Sequence, residues 1–169
     1  PLPVAGPGVG NARREMLEGR EIRFHPEHKI KAVRPQERLL AFENGDEAGF
    51  DLLAYVPPHR PPQVARQAGL VADPGWVPVD PGTLATRFPG VFVLGDLAAI
   101  KLPSGLMLPK AGVFAHAQAL VVAHRIAAEI RGAAPTDQFS GDGFCMLEAG
   151  QDLAGIAFRY ATNRDYFLF

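Results

Sequence analysis

The stretch TRFPGVFVLGD, Thr86 to Asp96, decides how this chain is read. Val91, Phe92, Val93 and Leu94 form a short apolar run, the pattern of an inner parallel strand buried on both faces. Open α/β sheets bind ligands beyond the carboxyl ends of such strands. Gly95 carries no Cβ, so a ligand can approach the backbone closely there. Asp96 then places a carboxylate where it can accept hydrogen bonds from sugar or polyol hydroxyls. The plainer reading is a strand followed by an ordinary Gly-Asp turn.

The downstream residues favour the first reading. Leu108-Pro109-Lys110-Ala111-Gly112 stands at the mouth of the long helical pattern KAGVFAHAQALVVAHRIAAEIRG. Pro109 suits a first helical turn, where its missing N–H would be unpaired anyway. Leu120, Ala123, Ile126, Ala127 and Ile130 fall on one face, and Gly132 ends the helix. A helix N-terminus favours an anion, Lys110 adds a full positive charge, and Gly112 keeps the approach open. Against this stands a helix whose first lysine is simply solvated.

Upstream, Pro1 to Gly10 is turn-rich, and GVGNARREMLEG has a short helical pattern that Gly19 stops. Arg20 to Phe24, Ile30 to Val33 and Arg38 to Phe42 read as short strands, with Pro35 and Gln36 turning between the last two. Asn44-Gly45-Asp46 is a further turn, and Asp51 to Val56 reads as a buried strand. Pro57 to Pro62 is a proline-rich hinge. A short helix from Gln63 to Gly69 and a short strand within Trp76 to Asp80 come next, and Asp80-Pro81-Gly82 is a turn. After the long helix, Phe144 to Leu147 and Ala154 to Tyr160 read as two strands around Gly150-Gln151-Asp152.

The 169 residues, 47% hydrophobic and 21% charged, suffice for one substantial core or two incomplete lobes. Seventeen basic and eighteen acidic residues give a net charge of −1 without a basic stripe, which argues against nucleic acid as a partner. The single cysteine, Cys145, excludes an internal disulfide, a CxxC pair and a cysteine-rich zinc site. No apolar run is long enough to span a bilayer, and no signal peptide is visible. The chain opens in a loop-like run without methionine and reads as a fragment of something larger.

Thr-x-x-Pro-Gly-Val, three apolar residues and Gly-Asp together resemble the second FAD-binding motif of the pyridine nucleotide-disulfide oxidoreductase superfamily. With LPKAGVFAHAQALVVAHRI after it, the chain is similar to the C-terminal part of sulfide:quinone oxidoreductase-like flavoproteins. FHPEHKIKAV, FDLLAYVPPHRPP and GDGFCMLEAG carry the resemblance along nearly the whole chain. It implies that Asp96 binds the ribityl chain of FAD and that Pro109-Lys110 lies against the isoalloxazine ring, with Gly95, Ala111 and Gly112 completing the cofactor-binding set. A reduced flavin is negative at its N1–C2=O edge, which the helix end and Lys110 would suit. The family's N-terminal FAD-binding unit is missing from these residues. No cysteine stands between Ala98 and Leu108, where relatives working on sulfide usually have one, so NAD(P)H is as fitting a donor.

Other signals are weaker. Ala5 to Gly10 resembles a dinucleotide loop, but its third glycine comes early and almost no strand can precede it. His25-Pro26-Glu27-His28 offers metal-ligand types, but its proline suggests a turn and the remaining ligands are not obvious. His116 and His124 suit packing or hydrogen bonding, and His59 is a turn histidine in the hinge. Hydrolase and kinase patterns are lacking.

The expectation is thus an α/β protein, an incomplete two-lobe Rossmann-like (FAD/NAD(P)-binding) fold, three-layered with an antiparallel β flap. Residues 1–79 would be the C-terminal part of an NAD-type middle domain, and 80–169 that of the FAD-binding domain. The function implied is a fragment, inactive by itself, of an oxidoreductase passing electrons from NAD(P)H or sulfide through FAD to a quinone or other acceptor. It would be cytoplasmic, touching the inner face of the membrane peripherally through the full protein. A non-catalytic binding or dimerisation domain is the rival, and a homodimer is compatible with either.

Overall fold

The structure, a computed structural model, describes residues 6–103, 105–149 and 152–159. It is mixed α/β, with compact units spanning residues 1–59 and 60–169. Their junction lies inside the proline-rich stretch expected as a hinge.

The first unit begins with helix α1, Gly6–Glu18, which takes in the glycines of the supposed dinucleotide loop. Those glycines therefore form helical turns and not a phosphate-binding loop. Strands β1 (Ile30–Arg34), β2 (Leu39–Phe42) and β3 (Glu47–Gly49) form an antiparallel meander in that order. The Asn44-Gly45 turn works as the sequence implies: Gly45 takes a φ of +95°, and the Asn44 side chain accepts the Asp46 N–H at 3.0 Å. The strands expected at Arg20 to Phe24 and Asp51 to Val56 do not form. Alternation or apolarity makes a strand only where a neighbour completes the ladder, and among the described residues neither segment has one. Leu52 and Val56 are accordingly 88% and 78% exposed.

In the second unit, helix α2 (Gln63–Gln67) ends on Gly69 at a φ of +65°, with the Leu70 N–H bonded to the Ala65 carbonyl at 3.1 Å. Strand β4 (Val77–Pro78) pairs in parallel with β5 (Ala98–Ala99), so residues 60–79 belong to the same compact unit as the residues after them. The four-residue strand expected at Val91–Leu94 is reduced to one antiparallel bridge between Phe92 and Ala85. Its nearest partner is the local Thr83–Phe88 loop, and no parallel strand runs along it among the described residues.

Helix α3 runs from Gly112 to Ile130, three residues later than Pro109 suggested. Ala111 is its N-cap, in extended conformation and without a side-chain cap. Gly132 ends it as expected, at a φ of +69°, with the Ala133 N–H returning to the Ala128 carbonyl at 2.9 Å. The buried face is Phe114, Gln118, Val121 and Val122, whereas Leu120, Ile126 and Ile130 stand outside. The stripe expected to pack is therefore the outer one. Strands β6 (Asp142–Ala149) and β7 (Asp152–Arg159) form the anticipated antiparallel hairpin, Cys145 lying opposite Ile156 in the ladder. Its turn, Gly150 and Gln151, and Tyr160 lie outside the described residues, as does the apolar end Tyr166 to Phe169. Leu84, Val77, Val93, Ile100, Phe114 and Phe139 form the core, the two phenylalanine rings meeting edge to face at 6.4 Å.

Candidate functional site

Gly95 opens a single 3₁₀ turn, Gly95–Leu97, immediately before β5. Its φ of +65° is one that only glycine adopts without strain, and a Cβ there would touch the Ala115 methyl of α3. The Gly95 N–H donates to Oε1 of Gln118 at 2.7 Å. Gln118 is 1% exposed, and burying an amide is tolerated only when it finds such a partner. The bond therefore ties the Gly-Asp turn to the second turn of α3.

The turn leaves the Asp96 carboxylate exposed. Its backbone carbonyl accepts a hydrogen bond from Lys110 Nζ. The ammonium also stands 3.6 Å from the centre of the Trp76 ring, in cation–π geometry. Partial burial pulls the Lys110 pKa below the ordinary lysine value, and the Asp96 carboxylate opposes that shift. Gly95, Pro109, Lys110 and Ala111 thus line one shallow depression with Leu108, Ile100 and Phe114 behind them. Gly112 adjoins it as the first residue of α3. The six residues singled out by sequence converge, although 13 positions separate Asp96 from Pro109. Trp76 and Gln118 join them without having been singled out. For Gln118 the available signal was an amide on an otherwise apolar helix face; for Trp76 there was none.

The depression measures about 10 Å³, room for at most one water molecule, so a ring system would have to lie across it. The residues fit one wall of a flavin site: a Cβ-free turn, an exposed carboxylate for hydroxyls, and a cation at a helix N-terminus. A second concavity, about 300 Å³, is lined by Gly10, Arg13, Arg14, Leu17 and Phe24 in the first unit and shares none of these features.

Three other polar residues make local contacts. Asp80 Oδ1 accepts the N–H groups of Gly82 and Thr83 at 3.1 and 2.7 Å and the Thr83 hydroxyl at 2.8 Å. His28 bonds Asp46 at 3.2 Å, and His124 bonds Asp137 at 3.0 Å. No group of three or more potential metal ligands occurs among the described residues.

No protein-family model matches the chain. Its fold recurs in a solved sulfide:quinone oxidoreductase from Aquifex aeolicus, with a TM-score of 0.74 at 24% identity over 92% of this chain and 39% of that one. It recurs in a NAD-dependent persulfide reductase from A. fulgidus, with a TM-score of 0.60 at 18% identity over 88% and 27% of the two chains. One chain of the Tetrahymena thermophila mitochondrial ATP synthase is also similar, with a TM-score of 0.70 at 25% identity over 94% and 38%. The fold is thus one found in oxidoreductases of the pyridine nucleotide-disulfide type. In sequence the chain is a homologue of the mitochondrial sulfide:quinone oxidoreductase of Schizosaccharomyces pombe, 30% identical over 137 residues. The match covers 78% of this chain and 28% of that relative, so the chain spans a minor part of the proteins it matches.

Proposed function

We propose that the chain is the C-terminal part of an FAD-dependent oxidoreductase passing electrons from NAD(P)H or sulfide through FAD to a quinone or other acceptor. The observation that carries this is the meeting of the Gly95-Asp96 turn with Lys110 at the mouth of α3. Homology to a sulfide:quinone oxidoreductase supports the same chemistry. FAD, when bound, supplies the electron transfer; the residues bind, orient and bias it. Asp96 would hold the ribityl hydroxyls, and Gly95 would let the backbone come close. Lys110 would favour negative charge on the ring edge, with Pro109, Ala111 and Gly112 shaping the surface beneath.

On this reading residues 1–79 descend from the middle, NAD-type domain and 80–169 from the FAD-binding domain of an incomplete two-lobe Rossmann-like fold, and the isolated chain is inactive. Quinone as acceptor would bring the full protein to the cytoplasmic face of a membrane peripherally. Among the described residues no helix is long and apolar enough to cross one.

The test is the absorbance spectrum of the purified full-length protein, followed by anaerobic titration with NADH, NADPH and sulfide in turn. A flavin band is expected, and Asp96→Ala should lower the bound flavin per protein. Bleaching by a nicotinamide or by sulfide identifies the donor. A protein that neither contains nor takes up flavin overturns the proposal.

A second reading has its own support. A similar fold serves as one chain of an ATP synthase, and α3 carries an exposed apolar face with Ile130 81% accessible. A colourless protein that self-associates through α3 would establish a non-catalytic binding module or homodimer instead.

A further inference from the structure

We propose that Trp76 is a positioning residue for Lys110: its indole face and the Asp96 carbonyl together fix where the lysine charge stands at the mouth of α3. Three separate stretches meet there, the strand entering β4, the Gly-Asp turn and the approach to α3. The ring and the carbonyl share one frame. The residue after Trp76, Val77, is 1% exposed and pairs in the parallel ladder with Ala98, two positions beyond Asp96. The Trp76 carbonyl is held in turn by the Ala72 N–H at 2.9 Å. Against that frame Lys110 Nζ has both an aromatic face, 3.6 Å from its centre, and a carbonyl acceptor.

A free lysine side chain is spread over many rotamers, so fixing it costs conformational entropy. A partly desolvated cation–π contact offsets much of that cost. The ring acts on Lys110 in two opposed ways. Its bulk removes water and favours the neutral amine, while its π face favours the ammonium. The charged group facing Lys110 is Asp96. Leucine at position 76 keeps the first effect and loses the second, whereas phenylalanine keeps both. The flavin reading supplies the reason such positioning would matter; the geometry does not depend on it.

Trp76 is the only tryptophan, so its emission reports on this contact without further engineering. In the 169-residue chain, Trp76 emission should titrate with a midpoint below that of an ordinary lysine, and the transition should vanish in Lys110→Met. Acetylation of Lys110, followed by mass spectrometry against pH, compares the aromatic and aliphatic variants. Trp76→Phe should match the parent protein. Trp76→Leu should be roughly fivefold more reactive at a fixed pH, the effect of losing about 1 kcal/mol of cation–π attraction. Circular dichroism checks that each variant folds; if Trp76→Leu does not, the emission titration decides. Equal reactivity of Trp76→Leu and the parent, or an emission transition that persists in Lys110→Met, overturns the proposal. Neither readout involves flavin, so a protein that binds none would refute the proposed function and leave this inference standing.

Discussion

The Asp80 carboxylate accepts three hydrogen bonds through one oxygen, which makes it the anchor of the turn leading into the Thr83–Phe88 loop. The Thr83 N–H, then its hydroxyl, hold the Asp80 pKa below the usual carboxylate value. A folded-state pKa below the unfolded one means that the unfolded chain takes up more protons in that window. The contribution is therefore full at neutral pH and is lost as pH falls below about 4 through the folded pKa. Asp80→Ala should cost about 1 kcal/mol at pH 7, in line with side-chain caps. It should also flatten the fall in melting temperature between about pH 4 and pH 2. Equal slopes for parent and variant would show that these bonds do not set the titration. This turn was legible because Asp-Pro-Gly encodes its own bonds locally. The Gln118 bond to Gly95 was not, since its partner lies 23 residues away. Leu84 was also hidden: it is fully buried at a φ of 59°, a conformation nothing in its side chain announces. Adopting it costs about 1–2 kcal/mol, which burial of the side chain offsets.

Helix α3 is apolar on more than one face, and this is where periodicity misled. A helix hydrophobic all round belongs to a crowded environment, and sequence alone does not say which face is taken first. Here Phe114, Val121 and Val122 face the core and Ile130 does not. The C-terminal glycine was legible because Gly132 solves a backbone problem within the helix itself. The N-terminus was not, because Pro109 tolerates a place before the helix as well as in its first turn. The same limit explains Val91–Leu94, whose apolarity is evident but whose ladder depends on residues elsewhere. Two truncations test the assignment of faces. Phe114→Ala, at a site 2% exposed, should cost about 3–5 kcal/mol, and Ile130→Ala about 0.5 kcal/mol or less. Chemical denaturation of both variants measures the difference. Comparable losses would mean that the outer face is covered in solution, and an Ile130→Ala loss that shrinks on dilution would identify a second copy as the cover.

The compact units of the chain divide inside the stretch that the sequence marks as a hinge, where Pro57, Pro58, Pro61 and Pro62 cannot continue a ladder or a helix, whereas the domain boundary read from the sequence falls at residue 79. The sequence did not show that the apolar run just before these prolines would stand clear of the three-stranded sheet. Asp51–Val56 has the composition of a buried strand, yet Leu52 is 88% exposed and Tyr55 50%. Among the described residues, no backbone hydrogen bond joins positions 52–61 to an element. Extended, unpaired backbone with large apolar side chains is what a protease cleft accepts most readily. Low concentrations of chymotrypsin should therefore cut first after Leu52, Leu53 or Tyr55. Trypsin is hindered at the hinge, since Arg60 is followed by proline. The larger product should begin at about Val56, and its part from α2 through α3 should resist further digestion, because the core residues from Val77 to Phe139 lie within one compact unit. N-terminal sequencing of that product locates the cut. A first cut inside the β1–β3 sheet or α3 would show that the linker is not the weakest point. Protection of Leu52 to Tyr55 would show instead that this run is covered in solution, as its composition demands.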